Sequence, residues 1–266
     1  MEKIKIYQNP HVRDRRRTLW AAFLWLIGYY RDRIDPKAPD NYTYPATSAP
    51  CDWQKPWALW VNHSTYLLSV QGRHFLTDPI WSRRCSPLPF LGPTRHHKPG
   101  IALEELPKVD YVLISHNHYD HLDLASVRKL HSLFPQIIWF VPEGVASWFK
   151  GLEISRVVEM KWGEQSEIAP GFRVISVPAQ HFSGRWTLNS TLWCGYVVEA
   201  LEVSKTLYFV GDTGYNAHDF KNIGAKWPSI DLSLIPIGCY SPREFMNAVH
   251  IEPREAADMH SREFHS

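Results

Sequence analysis

The chain has 266 residues, 44% hydrophobic and 21% charged, which is ordinary for a soluble globular protein able to bury a sizeable core. A net charge of +2 is too small to drive binding to a nucleic-acid backbone, so nucleic acid is not an expected partner. The 14 His stand out instead, because imidazole is the commonest metal ligand, and the 12 Trp require burial or an apolar ligand.

The first 56 residues read as an N-terminal extension. Arg15, Arg16 and Arg17 precede an apolar run over residues 19–27, shorter than the roughly 20 residues that a bilayer span needs. No small-residue cleavage site follows it, which argues against a secretory signal. Two readings stay open: an amphipathic helix packed on the domain, or an interfacial helix placing Trp20, Trp25 and Tyr29 at membrane headgroups. Residues 35–56, rich in Pro, Asp, Asn and Ser, are expected to be irregular.

From Trp57 a second region, 57–266, shows short apolar runs separated by turns. Residues 58–61, 66–70 and 74–77 read as strands, with a turn at Gln71-Gly72. The proline-rich stretch 82–100 reads as a loop over one face. Residues 111–115 form a buried strand, 124–134 a helix capped by Asp123, 137–141 a strand and 145–149 a helix. Further strands are expected over 172–177, 192–198, 206–210 and 232–237, and a last helix opens at Pro253. The alternation indicates a layered α/β architecture. Cys51, Cys85, Cys194 and Cys239 form no CxxC pair and read as idle thiols in a reducing, cytoplasmic compartment.

The stretch that carries chemistry is Ser115-His116-Asn117-His118-Tyr119-Asp120-His121, directly after a buried strand. Four potential ligands in six residues cannot share one face of a regular helix or strand, but they can converge in a tight loop. Zn²⁺ accepts imidazole and carboxylate readily. The spacing lets His116 and His118 grip one ion while Asp120 and His121 turn toward a second. His181, Asp212 (in Gly211-Asp212-Thr213-Gly214) and His250 each follow a predicted strand, as a single site at one sheet edge requires. His131, His218, His260 and His265 read as structural or solvated.

These residues resemble the ligand series of the metallo-β-lactamase superfamily. The segments Leu76-Thr77-Asp78-Pro79, His116 to Asp123, Gly211 to Tyr215, Pro236-Ile237-Gly238, Pro242-Arg243 and His250-Ile251-Glu252-Pro253 are similar to one subgroup within it. That subgroup comprises the N-acyl-phosphatidylethanolamine-hydrolysing phospholipases D and their bacterial relatives. The resemblance implies an αββα sandwich with a dinuclear metal site at one edge of its two sheets. His116, His118 and His181 would hold the first Zn²⁺, Asp120, His121 and His250 the second, and Asp212 would bridge them. Iron or manganese are alternatives to zinc. Asp78 would orient a ligand, and His63, in Asn62-His63-Ser64-Thr65, would play a supporting role. Relatives continue to an Ile-His-Trp-Gly-Thr-Phe-like segment absent before Ser266, so a domain short of its usual C-terminal end is expected.

The expected chemistry is hydrolysis of a phosphodiester in N-acyl-phosphatidylethanolamine or a related phospholipid by a zinc-activated hydroxide, with Asp120 relaying the proton. Peripheral contact with the inner face of a membrane follows if the early helix is interfacial. A lactonase or small-molecule phosphodiesterase of the same fold is the alternative. A catalytically impaired binding scaffold is a third reading.

Overall fold

The computed structural model describes residues 5–11, 52, 55–185 and 187–264. The helix expected near residues 15–31 lies outside them.

Two sheets form the centre. The first has the order β1-β2-β3-β4-β5-β6, built from Trp57–Asn62, Thr65–Val70, Arg73–Thr77, Tyr111–Leu113, Ile138–Pro142 and Val157–Met160. Strands β1 to β3 run as an antiparallel meander, and β3 to β6 pair in parallel, with α-helices in the connections after β4 and β5. The second sheet has the order β11-β10-β9-β8-β7. Here β7 is Gln165–Ala169, β8 Phe172–Val177, β9 Gly195–Ala200, β10 Lys205–Phe209 and β11 Leu232–Leu234.

Strand periodicity sorts the core into three layers, because successive side chains face opposite sides. Leu68, Phe75, Leu113 and Phe140 of the first sheet meet Phe172, Val174, Tyr196, Val198 and Phe209 of the second between the sheets. Their sequence neighbours Leu67, Leu76, Val112 and Val141 face outward. They are covered by helices α1 (Leu124–Leu133) and α2 (Ala146–Lys150), which contribute Val127, Leu130 and Phe149. On the far side Ile175, Val197, Tyr208 and Val210 pack under α3 (Ala217–Lys226), through Phe220 and Ile223, and under Met259 and Phe264. Two short helices, α4 (Arg243–Met246) and α5 (Pro253–Asp258), close this side. The result is an αββα sandwich with helices on both outer faces. Among the described residues no helix is long and apolar enough to cross a membrane.

Most expected elements stand where the pattern puts them, including the Asp123 side chain accepting from Ser126 N at the start of α1 and Pro253 opening α5. Four elements were not legible: β6, β7, α3 and α4. Strands β6 and β7 are sheet edges, and Gln165 and Glu167 are exposed, so neither shows the two-sided apolar run of an inner strand. Helix α3 is capped by Asn216, whose side chain accepts from His218 N and Asp219 N.

The strand expected from residue 192 starts instead at Gly195. The preceding backbone is used elsewhere: Leu192 N donates to Glu143 O and Cys194 N to Ser115 O. A Cβ at Gly195 would lie 2.9 Å from the carbonyl oxygens of Phe209 and Val210, so only glycine lets β9 approach β10 there. Strand β11 stops at Leu234 rather than 237, because the following residues turn to line a cleft. Among the described residues Cys85, Cys194 and Cys239 form no disulfide.

One buried charge ties the first sheet together. Asp110, just before β4, accepts from His74 N at 3.0 Å and pairs with Lys108 Nζ at 2.5 Å. Burial alone would push this carboxyl up, but the bonds from His74 and Lys108 outweigh it and bring it down to about 2. A depressed folded-state value stabilises the fold above the ordinary aspartate range, and that contribution disappears as pH falls through about 2. Asp110→Asn is therefore expected to destabilise the domain by roughly 1–2 kcal/mol at neutral pH. It should also flatten the loss of stability between pH 4 and 2, approximately, seen in urea titrations of the parent. An unchanged acid limb would show that Asp110 does not report on folding.

Candidate metal centre

The centre lies where β3, β4, β8 and β10 deliver their C-terminal ends to one edge of the sandwich. Asp78 follows β3 with φ of 31°, a left-handed conformation that turns its wholly buried carboxylate back under the β4 loop. There it accepts from Ser115 N at 2.7 Å and from Ser115 Oγ at 2.5 Å, and from His121 Nδ1 at 2.6 Å.

These bonds settle tautomers. Ser115 Oγ spends its proton on Asp78, so at 2.8 Å it must accept from His116 Nδ1–H. The Nε2 lone pair of His116 is then left facing His118 Nδ1, also at 2.8 Å. His121 Nδ1 donates to Asp78, which directs Nε2 at Asp120, Asp212 and His63. His181 Nδ1 donates to Val249 O at 3.0 Å, leaving Nε2 buried with no hydrogen-bond partner, 3.9 Å from Asp212 Oδ2. One carboxylate and two neighbouring groups thus aim several imidazole lone pairs inward, as orienting partners do at metal sites.

Asp212 follows β10 through Gly211, whose φ is 68° and whose added Cβ would fall 2.7 Å from Ser115 Cβ. Its Oδ2 lies 3.3 Å from His121 Nε2 and 3.8 Å from His250 Nδ1. The loops bearing His181, Asp212 and His250 are stitched together. Gly214 N donates to Gln180 O, Ile251 N to Thr213 O, and Gln180 Nε2 to Ala248 O. Gln180 N in turn donates to Thr213 Oγ1.

Among the described residues the donors form groups that include His116, His118 and His181; His181, Asp212 and His250, which shares His181 with the first; and His63, Asp120 and His121. His250 therefore stands beside Asp212 and His181. His63, to which the resemblance gives a supporting role, lies 3.2 Å from Asp120 Oδ2 and 3.3 Å from His121 Nε2. His63 also has a positive φ, 44°, at the β1–β2 turn that carries it to the cleft.

The electrostatics fit cations. Burial holds His116 and His181 well below the ordinary imidazole range and brings His118 down to about 4, so all three are neutral ligands at pH 7. Burial also works against the charged form of His121, but Asp212, Asp120 and Asp78 outweigh it and push this ring well above the ordinary imidazole range, so a cation at these carboxylates would have to displace its Nε2 proton. Asp120 and Asp212 resist the upward push of burial and stay well below the usual carboxylate range, held there mainly by His121. Two ionised carboxylates, several neutral imidazoles and the orphaned Nε2 of His181 make a polar cluster able to hold divalent cations.

One contributor carries no legible signal in the sequence. Arg185 reaches across from the β8–β9 connection and donates from Nε to Asn117 O and from Nη2 to Leu122 O. Its guanidinium lies 4.3 Å from the ring centre of Tyr119 and 5.3 Å from that of Trp148. Gly184 N adds a bond to Asn117 Oδ1 at 2.9 Å. The His116–His121 loop is thereby clamped at both ends from outside. Arg185→Ala is expected to weaken metal binding about 10- to 100-fold, the range for partners that hold ligands in place. Chelator competition checks this, and unaltered affinity would mean the loop keeps its form without the clamp.

A cleft of about 460 Å³ opens over the donors. His63, His118, Asp120, His181, Asp212 and His250 line it on one side, and Trp60, Tyr66, Phe182, Phe209, Leu234 and Ile237 give it apolar walls.

Comparison with known proteins agrees with this geometry. A family model described as a beta-lactamase superfamily domain matches residues 73–262. An N-acyl-phosphatidylethanolamine-hydrolyzing phospholipase D of Caenorhabditis elegans is 43% identical over 76% of this chain and 59% of its own length. This chain thus spans about three-fifths of that relative. A metal-dependent hydrolase of Caldivirga maquilingensis is 30% identical over 77% of this chain and 82% of its own. Among solved structures, a possible metal-dependent hydrolase from Veillonella parvula aligns with a TM-score of 0.61 at 17% identity, covering 80% of this chain and 83% of that one.

Proposed function

Because this chain belongs to the metallo-β-lactamase superfamily, we propose that it is a metal-dependent hydrolase of phosphodiesters borne on apolar molecules. N-acyl-phosphatidylethanolamine or a related phospholipid is the proposed substrate. The observation that carries this reading is the placement of the donor cluster on the floor of an apolar-walled cleft. A polar reacting group would meet the His and Asp donors while its hydrocarbon lies against Trp60, Phe182, Phe209 and Leu234. The 43% identity to the worm phospholipase supports the substrate class.

His116, His118 and His181 would hold one cation, and Asp120, His121 and His63 a second. Asp212 would serve both, since its Oδ2 faces His121 and His181, and His250 would approach from the Asp212 side. Zinc suits this mixed imidazole and carboxylate set, with iron or manganese as alternatives. When bound, the pair supplies Lewis acidity to a phosphoryl oxygen and to the attacking water.

The chain's own residues do the rest. Asp78 keeps His121 and, through Ser115, His116 in fixed tautomers. Asp120 is ionised and partly exposed to the cleft, so its carboxylate can accept the proton released by an attacking water. His63 Nε2, 3.2 Å from Asp120 Oδ2, would hold this carboxylate in place beside the same cation.

A lactonase or small-molecule phosphodiesterase is the second reading, compatible with the Caldivirga relative, whose description is a metal-dependent hydrolase without a lipid substrate. Elemental analysis beside hydrolysis of N-acyl-phosphatidylethanolamine and of a soluble phosphodiester tests both. Near two metals per chain with lipid cleavage is the expected result, and turnover of the soluble ester or a lactone alone would favour the second reading. Asp212→Ala should lose metal and lower turnover at least about 100-fold, more than the loss of an orienting partner. Retention of full metal content and rate would sink the shared-ligand assignment.

A further inference from the structure

The segment between β3 and α1 carries a feature that the hydrolytic site does not use. Its neck is paired across two arms. Cys85 N donates to Pro93 O at 3.3 Å and Arg95 N to Arg83 O at 3.0 Å, with a bridge between Arg84 and Thr94. The Arg84 guanidinium also donates to Gly92 O, so the tip between the arms is held as a unit.

That tip is apolar and exposed. Leu88 is 43% exposed, Phe90 75% and Leu91 61%, three large hydrophobic side chains within four residues. Isolated exposed apolar residues are common, but a cluster at the end of a projection is not. The backbone of the tip is also poor in donors. Pro87, Pro89 and Pro93 have no N–H, Leu88 N donates to Ser86 Oγ, and Leu91 N donates to Leu88 O. Such a tip can leave water with few unmet hydrogen bonds, which is the condition for entering a lipid interface.

Within the segment itself the charge is of one sign, while Asp120 and Asp123 lie near its base. From Ile80 to Leu103 the sequence contains no Asp or Glu, while Arg83, Arg84, Arg95 and Lys98 flank the tip together with His96 and His97. Arg83 and Lys98 are exposed. The base of the projection borders the cleft, since the His97 ring packs 5.0 Å from that of Trp60, a cleft-lining residue.

We propose that residues 86–93 are a membrane-docking element. Leu88, Phe90 and Leu91 enter the apolar boundary of a bilayer whose anionic headgroups meet Arg83 and Lys98. Charge complementarity selects an anionic lipid surface as the occupant. Three side chains on a proline-rich tip present far too little area and too few hydrogen-bonding groups for a stable protein interface. The use of this element, delivering the cleft to a lipid, rests on the phospholipase reading. Its existence is tested without turnover.

The experiment is co-sedimentation of the full chain with vesicles of phosphatidylcholine alone or mixed with phosphatidylglycerol, for the parent, for Phe90→Asp/Leu91→Asp and for Arg83→Ser/Lys98→Ser. The parent should bind the anionic vesicles and bind the neutral ones weakly. The first variant should lose roughly tenfold or more in partitioning, the worth of burying one such side chain. The second should lose about fivefold per charge on anionic vesicles, with this loss shrinking at high salt. Both variants alter exposed residues, and an unchanged thermal midpoint verifies that they fold. Vesicle binding equal to the parent in the first variant, or a parent that does not bind, overturns the proposal. So does a parent that self-associates through this tip, shown by a dimer in sedimentation velocity that the first variant abolishes. Cleavage of detergent-dispersed lipid by a parent that ignores vesicles would leave the phospholipase reading standing and remove the docking element. Vesicle binding by a parent that cleaves no phosphodiester would do the reverse.

Discussion

The buried carboxylate of Asp78 is the constraint on which the rest of the centre depends. It is fully shielded from water and desolvation pushes it toward protonation, yet it accepts three hydrogen bonds, from Ser115 N, Ser115 Oγ and His121 Nδ1. A carboxylate left unpaired there would be costly, so each bond it accepts is strongly enforced. The consequence travels outward through proton inventory alone. Ser115 cannot donate twice, so His116 must, and the inward nitrogens of two rings are decided by one group at the end of β3.

Around that constraint the fold brings rigid elements to one edge. Parallel pairing of β3 with β4 puts Asp78 and Ser115 side by side, and Cys194 N bonding to Ser115 O ties the second sheet to the same place. The loops after β8 and β10 are then locked to each other by backbone bonds between Gln180 and Gly214, and to the segment before α5 by Thr213 and Ile251. Donors on three separate loops therefore behave as one preorganised surface. Its excess of ionised carboxylate over imidazolium, with neutral rings pushed down by burial, is a charge pattern that a divalent cation completes.

The cleft and the basic, apolar-tipped projection are built from different segments and meet at Trp60 and His97. The cleft is apolar where it leaves the donors, and the projection is apolar where it leaves the protein. The hydrophobic effect is non-directional, so these surfaces say that hydrocarbon is favoured at both places, while the charged and metal-binding groups supply direction.

Much was legible in the sequence, and for local reasons. The His116–His121 loop, the Gly211–Gly214 turn, the Asp123 cap and the Pro253 helix start are set within a few residues, and the inner strands announce themselves by apolar runs buried on both faces. Strands β6 and β7 were silent because exposed Glu159, Gln165 and Glu167 break any apolar run in these short segments. What only tertiary structure decided are contacts across long separations. His63 stands beside His121 at a separation of 58 residues, His121 on Asp78 at 43, and Arg185 on Leu122 O at 63. His250 stands beside Asp212 rather than Asp120 because the α4–α5 connection is bound to the loops of His181 and Asp212. Residue types and short spacings determined that a cluster of His and Asp donors able to hold metal forms at this edge. Which donors share an ion depends on how separate loops are held in space, and no local pattern encodes that.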